Sequence, residues 1–266
     1  MSEAPAPADS LPGGLTLRAM VPNAITAAAL CAGLTGIRFA IMGDWEKAVI
    51  AIILAGMLDG IDGRIARLLK AQSRFGAELD SLADNVSFGV APALILFLWS
   101  LQQLPRLGWF ASLAYAIACA LRLARFNARI DLADEPRKAA GFLTGVPAPV
   151  GAGLALLPMY LWFVSHHELL RQPVLVGLWL AAMAFLMISS VATLSWGKLR
   201  PRKSIRLGML VLVGLVGAAA LTEPWWTLIG ISAVYLASLP LGIVGYARVV
   251  RRQRAGRAGA PEAAAS

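Results

Sequence analysis

Four aspartates carry the chemistry that this sequence offers. Asp59, Asp62, Asp80 and Asp84 fall within one stretch, LDGIDGRIARLLKAQSRFGAELDSLAD, at the facing ends of two apolar segments. An ionised carboxylate is costly at the edge of a membrane span, and one placed there marks a functional site by default. Asp59 and Asp62 are three residues apart and Asp80 and Asp84 four apart, so each pair shares one face of a helix. A polar turn is expected near Ala71 to Ser73. Asp62 and Asp80 lie about ten and eight residues from it, and Asp59 and Asp84 about thirteen and twelve, so at ~1.5 Å per residue an antiparallel hairpin brings the pairs to similar depth.

Four mutually repelling carboxylates in a poorly hydrated place call for cations. Hard oxygen donors with no Cys or His among them suit Mg²⁺ or Mn²⁺ rather than zinc or copper. Two such ions beside a phosphate form the clamp used in phosphoryl displacement. Gly63 and Gly76 offer bare backbone for close helix approach or for a phosphate, and Arg67 adds a forked donor. The plainer alternative is a set of helix-end acids paired with Arg64, Arg67 and Arg74. That suits one acidic pair better than four acids in register.

The elements that must hold these residues are membrane spans. Of 266 residues, 58% are hydrophobic and 15% charged, with mean hydropathy +0.69. A soluble domain carries charge on about a quarter of its residues, so neither a soluble globule nor a disordered chain fits. A helix crosses a bilayer with about 20 apolar residues. Eight such segments are predicted, at 23–43, 46–66, 80–101, 108–128, 144–164, 173–195, 207–222 and 224–247. The shortness of the seventh and the Glu223-Pro224 junction leave six or seven open as well. The fold class is therefore all-α, a polytopic transmembrane helical bundle.

Residues 1–14 are expected to be a disordered N-terminal segment, 15–250 the transmembrane domain, and 251–266 a basic disordered tail. The stretch 15–21 is short enough to lie along the membrane surface. No removable signal peptide is read before the first span.

The formal net charge is +9. In so apolar a chain this reads as the positive-inside bias and not as nucleic-acid binding. Of the 24 Lys and Arg residues, only Arg38, Lys47, Arg106 and Arg171 fall outside one set of alternate connections. That set is expected to face the cytoplasm from the cell membrane, and the acidic hairpin lies on the same side. Cys31 and Cys119 lie in apolar runs with no metal or disulfide spacing. His166 and His167 fall on the opposite side from the hairpin, and Trp45, Trp99, Trp109, Trp162, Trp225 and Trp226 sit at span ends as an aromatic belt.

The pattern Asp59-x-x-Asp62-Gly63-x-x-Ala66-Arg67, then Gly76-x-x-x-Asp80-x-x-x-Asp84, resembles the signature of the CDP-alcohol phosphotransferase family at all eight fixed positions. The resemblance implies a helical membrane enzyme, usually homodimeric, that moves a substituted phosphoryl group from a CDP-linked donor to an alcohol and releases CMP. Carried onto this chain, it implies that Asp59, Asp62, Asp80 and Asp84 hold two divalent cations, with Asp84 also the general base. Gly63, Arg67, Ser73 and Gly76 would line the site of CDP-diacylglycerol. Pro22, Asn23 and Thr26 resemble a further nucleotide-contact segment.

Three other stretches, Ser87 to Pro92, Leu121 to Asn127 and Phe142 to Pro149, resemble the branch of the family whose acceptor is L-serine. Ser87, Arg122, Arg125 and Asn127 are its candidate serine contacts. Arg122 and Arg125 share a helix face and suit a carboxylate or a phosphate, although a positive-inside flank also explains them. Ser87 reads equally as a substrate contact or as a hydroxyl bonded to helix backbone. Choline, glycerol 3-phosphate and inositol phosphate remain as alternative acceptors. A Mg-dependent membrane prenyltransferase and an ion-coupled transporter are the more distant alternatives.

Overall fold

The computed structural model describes residues 10–11, 15–128, 142–189, 192–194 and 206–240. The expected tail 251–266, most of the segment 1–14, most of the basic connection Lys198 to Arg206 and the end of the eighth predicted span lie outside these residues.

Eight helical rods make up the described chain. α1 is Leu17–Ile41 and α2 is Trp45–Leu68. α3 (Arg74–Asp84) runs through a π-helical stretch, Asn85–Val90, into α4 (Ala91–Trp99) as one continuous rod. α5 is Pro105–Asn127. α6 (Ala148–Ala155) and α7 (Leu157–Ser165) form the fifth rod, stepped at Leu156 ahead of Pro158. α8 is Pro173–Ile188, α9 is Arg206–Thr222, and a last helix, α10, spans 224–240. Short antiparallel pairings join Ser10–Leu11 to Leu15–Thr16 and Phe142–Thr144 to Ala192–Leu194. The bundle is a polytopic helical membrane fold. Met20–Ile41, Arg74–Trp99, Pro105–Asn127 and Ala148–Ser165 are each long and apolar enough to cross a bilayer, with Pro173–Ile188 and Gly208–Thr222 as shorter apolar helices.

Two predicted edges are corrected. Residues 17–21 do not run separately along a surface; they are the first residues of α1, which continues through Pro22. The sixth predicted span, 173–195, ends as a helix at Ile188, because Ser189 turns to an extended backbone (ψ 152°) and residues 192–194 pair as a strand.

The first two rods form a tight hairpin. Gly43 takes the left-handed conformation (φ +77°) that closes α1, and Asp44 then accepts from Lys47 Nζ at 2.6 Å at the start of α2. Alanines on the facing sides, among them Ala29, Ala32, Ala48, Ala51 and Ala55, are buried and let the two backbones come close. The core then passes through α4 and α5 to α6, α7 and α8, with Phe88, Ile95, Trp99, Tyr115, Met159, Tyr160, Leu180 and Met187 fully buried. Outward-facing Leu, Ile, Val and Phe remain exposed on most rods, as suits a lipid solvent.

Candidate active site

The second hairpin builds the site. α2 ends in a left-handed Lys70 (φ 50°), with Ala71 N–H bonded to Ala66 O at 2.9 Å, a closure that satisfies carbonyls left open at a helix end. Ser73 then caps α3, its hydroxyl accepting from Gly76 N–H at 3.0 Å. The turn therefore falls where the sequence placed it, and the two acidic pairs face each other across it.

Asp59, Asp62 and Asp80 each offer a carboxylate oxygen, and these oxygens lie within 4.8 Å of one another. Asp84 lies beside Asp59, close enough for the two carboxyl groups to interact. Asp62 is buried and the other three are partly so. Arg67, the nearest sequence candidate for a partner, donates instead to Gly63 O on its own helix at 2.9 Å. Among the described residues the one ion pair is Lys47 with Asp44, so none of the four acids forms an ion pair with a described arginine. Helix-end acids paired with Arg64, Arg67 or Arg74 are thus not what the described residues contain.

Converging, unneutralised carboxylates with no nitrogen or sulfur donor among them are the donor set of a hard divalent cation. The site fits such an ion. It also has an orienting group, because Thr26 Oγ1 on α1 donates to Asp62 Oδ2 at 2.7 Å, with both residues buried. Fixing the outer oxygen of a ligand in this way sets the direction of the inner one. Thr26, expected at the nucleotide, directs its hydroxyl to Asp62.

The remaining predicted residues separate by position. Above Gly63 there is open space on an exposed part of α2, beside the acids. Gly76 is closely covered: a Cβ there would come 2.9 Å from Asn23 Oδ1 and 3.1 Å from Ser73 Oγ. Its missing side chain lets α1 reach the start of α3, which brings Asn23 and buried Pro22 to the edge of the site. Ser87 is buried in the π-helical turn and donates to Ala29 O at 3.4 Å, facing α1. Arg125 donates to Ile188 O at 2.7 Å and reaches Met187 O and Ser189 O, so it closes the carbonyl end of α8. Asn127 donates to Ser81 Oγ at 2.8 Å, tying the end of α5 to α3. Arg122 makes no hydrogen bond among the described residues, and its Nε is buried.

Sequence reasoning missed two residues here. Tyr115 is buried on α5, and its hydroxyl donates to Phe88 O at 3.1 Å. Pro92 has no N–H to give that carbonyl in an α-helical ladder, so Tyr115 supplies the donor that the turn after Asp84 lacks. Asn85 follows Asp84 directly, and its Oδ1 is buried without a hydrogen-bond partner among the described residues. The only sequence signal was that Tyr115, Cys119 and Arg122 recur on one helical face, which reads first as packing.

A helical membrane bundle with an acidic cluster where two helix ends meet, beside open backbone at Gly63, is the frame of a lipid phosphotransferase. The family model for CDP-alcohol phosphatidyltransferase matches residues 19–260, and the chain belongs to that family. Its relatives include the CDP-diacylglycerol–serine O-phosphatidyltransferase of Mycobacterium tuberculosis, 37% identical over 231 residues (84% of this chain, 78% of the relative). Proteins of the same name from Helicobacter pylori J99 and Bacillus subtilis 168 are 32% and 33% identical, covering 74% and 64% of this chain and 81% and 88% of theirs.

Proposed function

We propose that this chain transfers a phosphatidyl group from CDP-diacylglycerol to the hydroxyl of L-serine, giving phosphatidylserine and CMP. The observation that carries the reading is the convergence of Asp59, Asp62 and Asp80, with Asp84 beside Asp59 and no ion pair to any of the four among the described residues. The names of the relatives support serine as the acceptor. Asp59, Asp62, Asp80 and Asp84 would hold two divalent cations, Mg²⁺ or Mn²⁺, which when bound would supply charge neutralisation for the diphosphate and the CMP leaving group.

The chain's own groups do the rest. Asp84 takes the serine hydroxyl proton as that oxygen attacks the phosphorus bearing diacylglycerol, and the bond to the CMP oxygen breaks in line. Thr26 holds Asp62 in its ligating direction. The diphosphate lies over Gly63 with Arg67 turned toward it, and Pro22, Asn23, Ser73 and Gly76 shape the nucleotide side. Of the four residues expected at the acceptor, Arg122 binds the serine carboxylate, while Ser87, Arg125 and Asn127 seat α5 and the π-helical turn around it. The acyl chains stay in lipid. The bias of basic residues toward the connections at this end supports a site facing the cytoplasm from the cell membrane, and the family resemblance supports a homodimer.

CMP release from CDP-diacylglycerol by purified protein, across serine, choline, glycerol 3-phosphate and inositol phosphate, tests the reading. Release that depends on serine and on a divalent ion is expected. Release driven by another acceptor, or without added metal after chelation, overturns it.

A further inference from the structure

Two buried polar atoms beside Asp84 have no hydrogen-bond partner among the described residues, and they come from different elements. One is Asn85 Oδ1, on the residue after Asp84 in the π-helical turn. The other is Arg122 Nε on α5. They belong to one cluster. Asn85 Oδ1 and Cys119 Sγ lie 3.1 Å and 3.2 Å from the point where a Gly89 Cβ would stand, and Arg122 is one turn beyond Cys119 on the same face. Arg122 is also near enough to Asp84 to feel its charge. A buried acceptor and a buried cationic donor left unpaired each cost stability, and an occupant that satisfies both removes the cost.

We propose that Asn85 is a specificity residue for the acceptor: its side-chain oxygen accepts a hydrogen bond from the acceptor's ammonium while the Arg122 guanidinium pairs with its carboxylate. This rests on serine being the acceptor and adds what distinguishes serine from other small alcohols. The geometry suits the chemistry, because the hydroxyl delivered to Asp84 sits one carbon from the centre bearing both charged groups. A neutral amide oxygen suits an ammonium here better than a carboxylate would, since a fifth negative charge beside Asp84 would compete with the serine carboxylate for Arg122.

The test measures incorporation of labelled serine into phosphatidylserine by the wild type and by Asn85→Leu, with 3-hydroxypropionate, which keeps the hydroxyl and carboxylate but lacks the ammonium, as competitor. A hydrogen bond to a charged group predicts that the wild type binds 3-hydroxypropionate ~10–100-fold more weakly than serine. Asn85→Leu is expected to raise the KM for serine by about the same factor, leaving the KM for CDP-diacylglycerol and the inhibition constant of 3-hydroxypropionate near wild type. Equal affinity of the wild type for serine and 3-hydroxypropionate overturns the proposal even if the variant fails to fold. So does an unchanged serine KM in Asn85→Leu, or a parallel rise for both compounds. A wild type with no serine-dependent CMP release sinks the underlying acceptor reading instead, and this inference with it.

Discussion

Replacing Thr26 with Val separates two roles for one residue. Val keeps the branched shape at a buried position and removes only the hydroxyl, whose single proton goes to Asp62 Oδ2 at 2.7 Å, with Pro22 O at 3.1 Å as an alternative acceptor. The Pro22 contact is a bond to the helix's own backbone and contributes little. The Asp62 contact is short, buried and charge-assisted, so its loss leaves a carboxylate oxygen without a donor at a cost of about 1.5–3 kcal/mol. Not all of that reaches the metal, because Asp62 can re-aim. Loss of an orienting partner typically lowers metal affinity by ~10–100-fold, and the lower end is expected here. The assay is serine-dependent CMP release titrated with Mn²⁺. Thr26→Val should need ~10-fold more Mn²⁺ for half-maximal rate, with the KM for CDP-diacylglycerol little changed once metal saturates, and Thr26→Ser should behave as wild type. If Thr26→Val instead raises the KM for CDP-diacylglycerol at saturating metal and leaves the Mn²⁺ titration in place, Thr26 contacts the nucleotide and the reasoning fails.

Three further outcomes follow from the same geometry. Asp84→Asn should lower kcat by ~10²–10⁴-fold, the usual range for a lost general base, and turnover near wild type would remove Asp84 from that role. Gly33→Ala places a Cβ 2.6 Å from Ser87 Oγ and 2.9 Å from Ser87 Cα, so α1 must move off the π-helical turn. A loss of about 1–3 kcal/mol is expected, read as a lower thermal midpoint by tryptophan fluorescence, and an unchanged midpoint would contradict the tight contact. Arg125→Ala should lower the same midpoint by removing the donors at the α8 carbonyl end while leaving the KM for serine in place; a serine KM that rises at constant stability would return Arg125 to the acceptor site.

The acidic hairpin was legible because its cause is local. Spacings of three and four residues put each pair on one helix face, and the turn is announced by a polar stretch with Ser73 three residues before Gly76, a capping arrangement the structure contains. Rod-like helices were legible from apolar length alone. What escaped depends on packing between distant segments. Arg125 reads in sequence as a cation at a helix end near substrate, yet it closes a helix whose last carbonyl is 63 positions away. Ser87 reads as a candidate contact until Gly33 is brought against it. The π-helical turn has no periodic signature, and its stabilising donor, Tyr115, lies 27 residues on. The end of α8 at Ile188 is marked in sequence only by Ser189 and Ser190, and Val191, Ala192 and Leu194 beyond them keep an apolar run going.

The central claim is that the four carboxylates act together as a divalent-cation site, and direct binding tests it without reference to turnover. Mn²⁺ bound to the purified protein can be counted by the loss of the free-ion signal in electron paramagnetic resonance, for the wild type and for Asp59→Asn, Asp62→Asn and Asp80→Asn. Two ions per chain in the wild type, with binding weakened in every variant, is the expected result. Mn²⁺ that stays free with the wild type, or binds the variants equally well, would contradict the account.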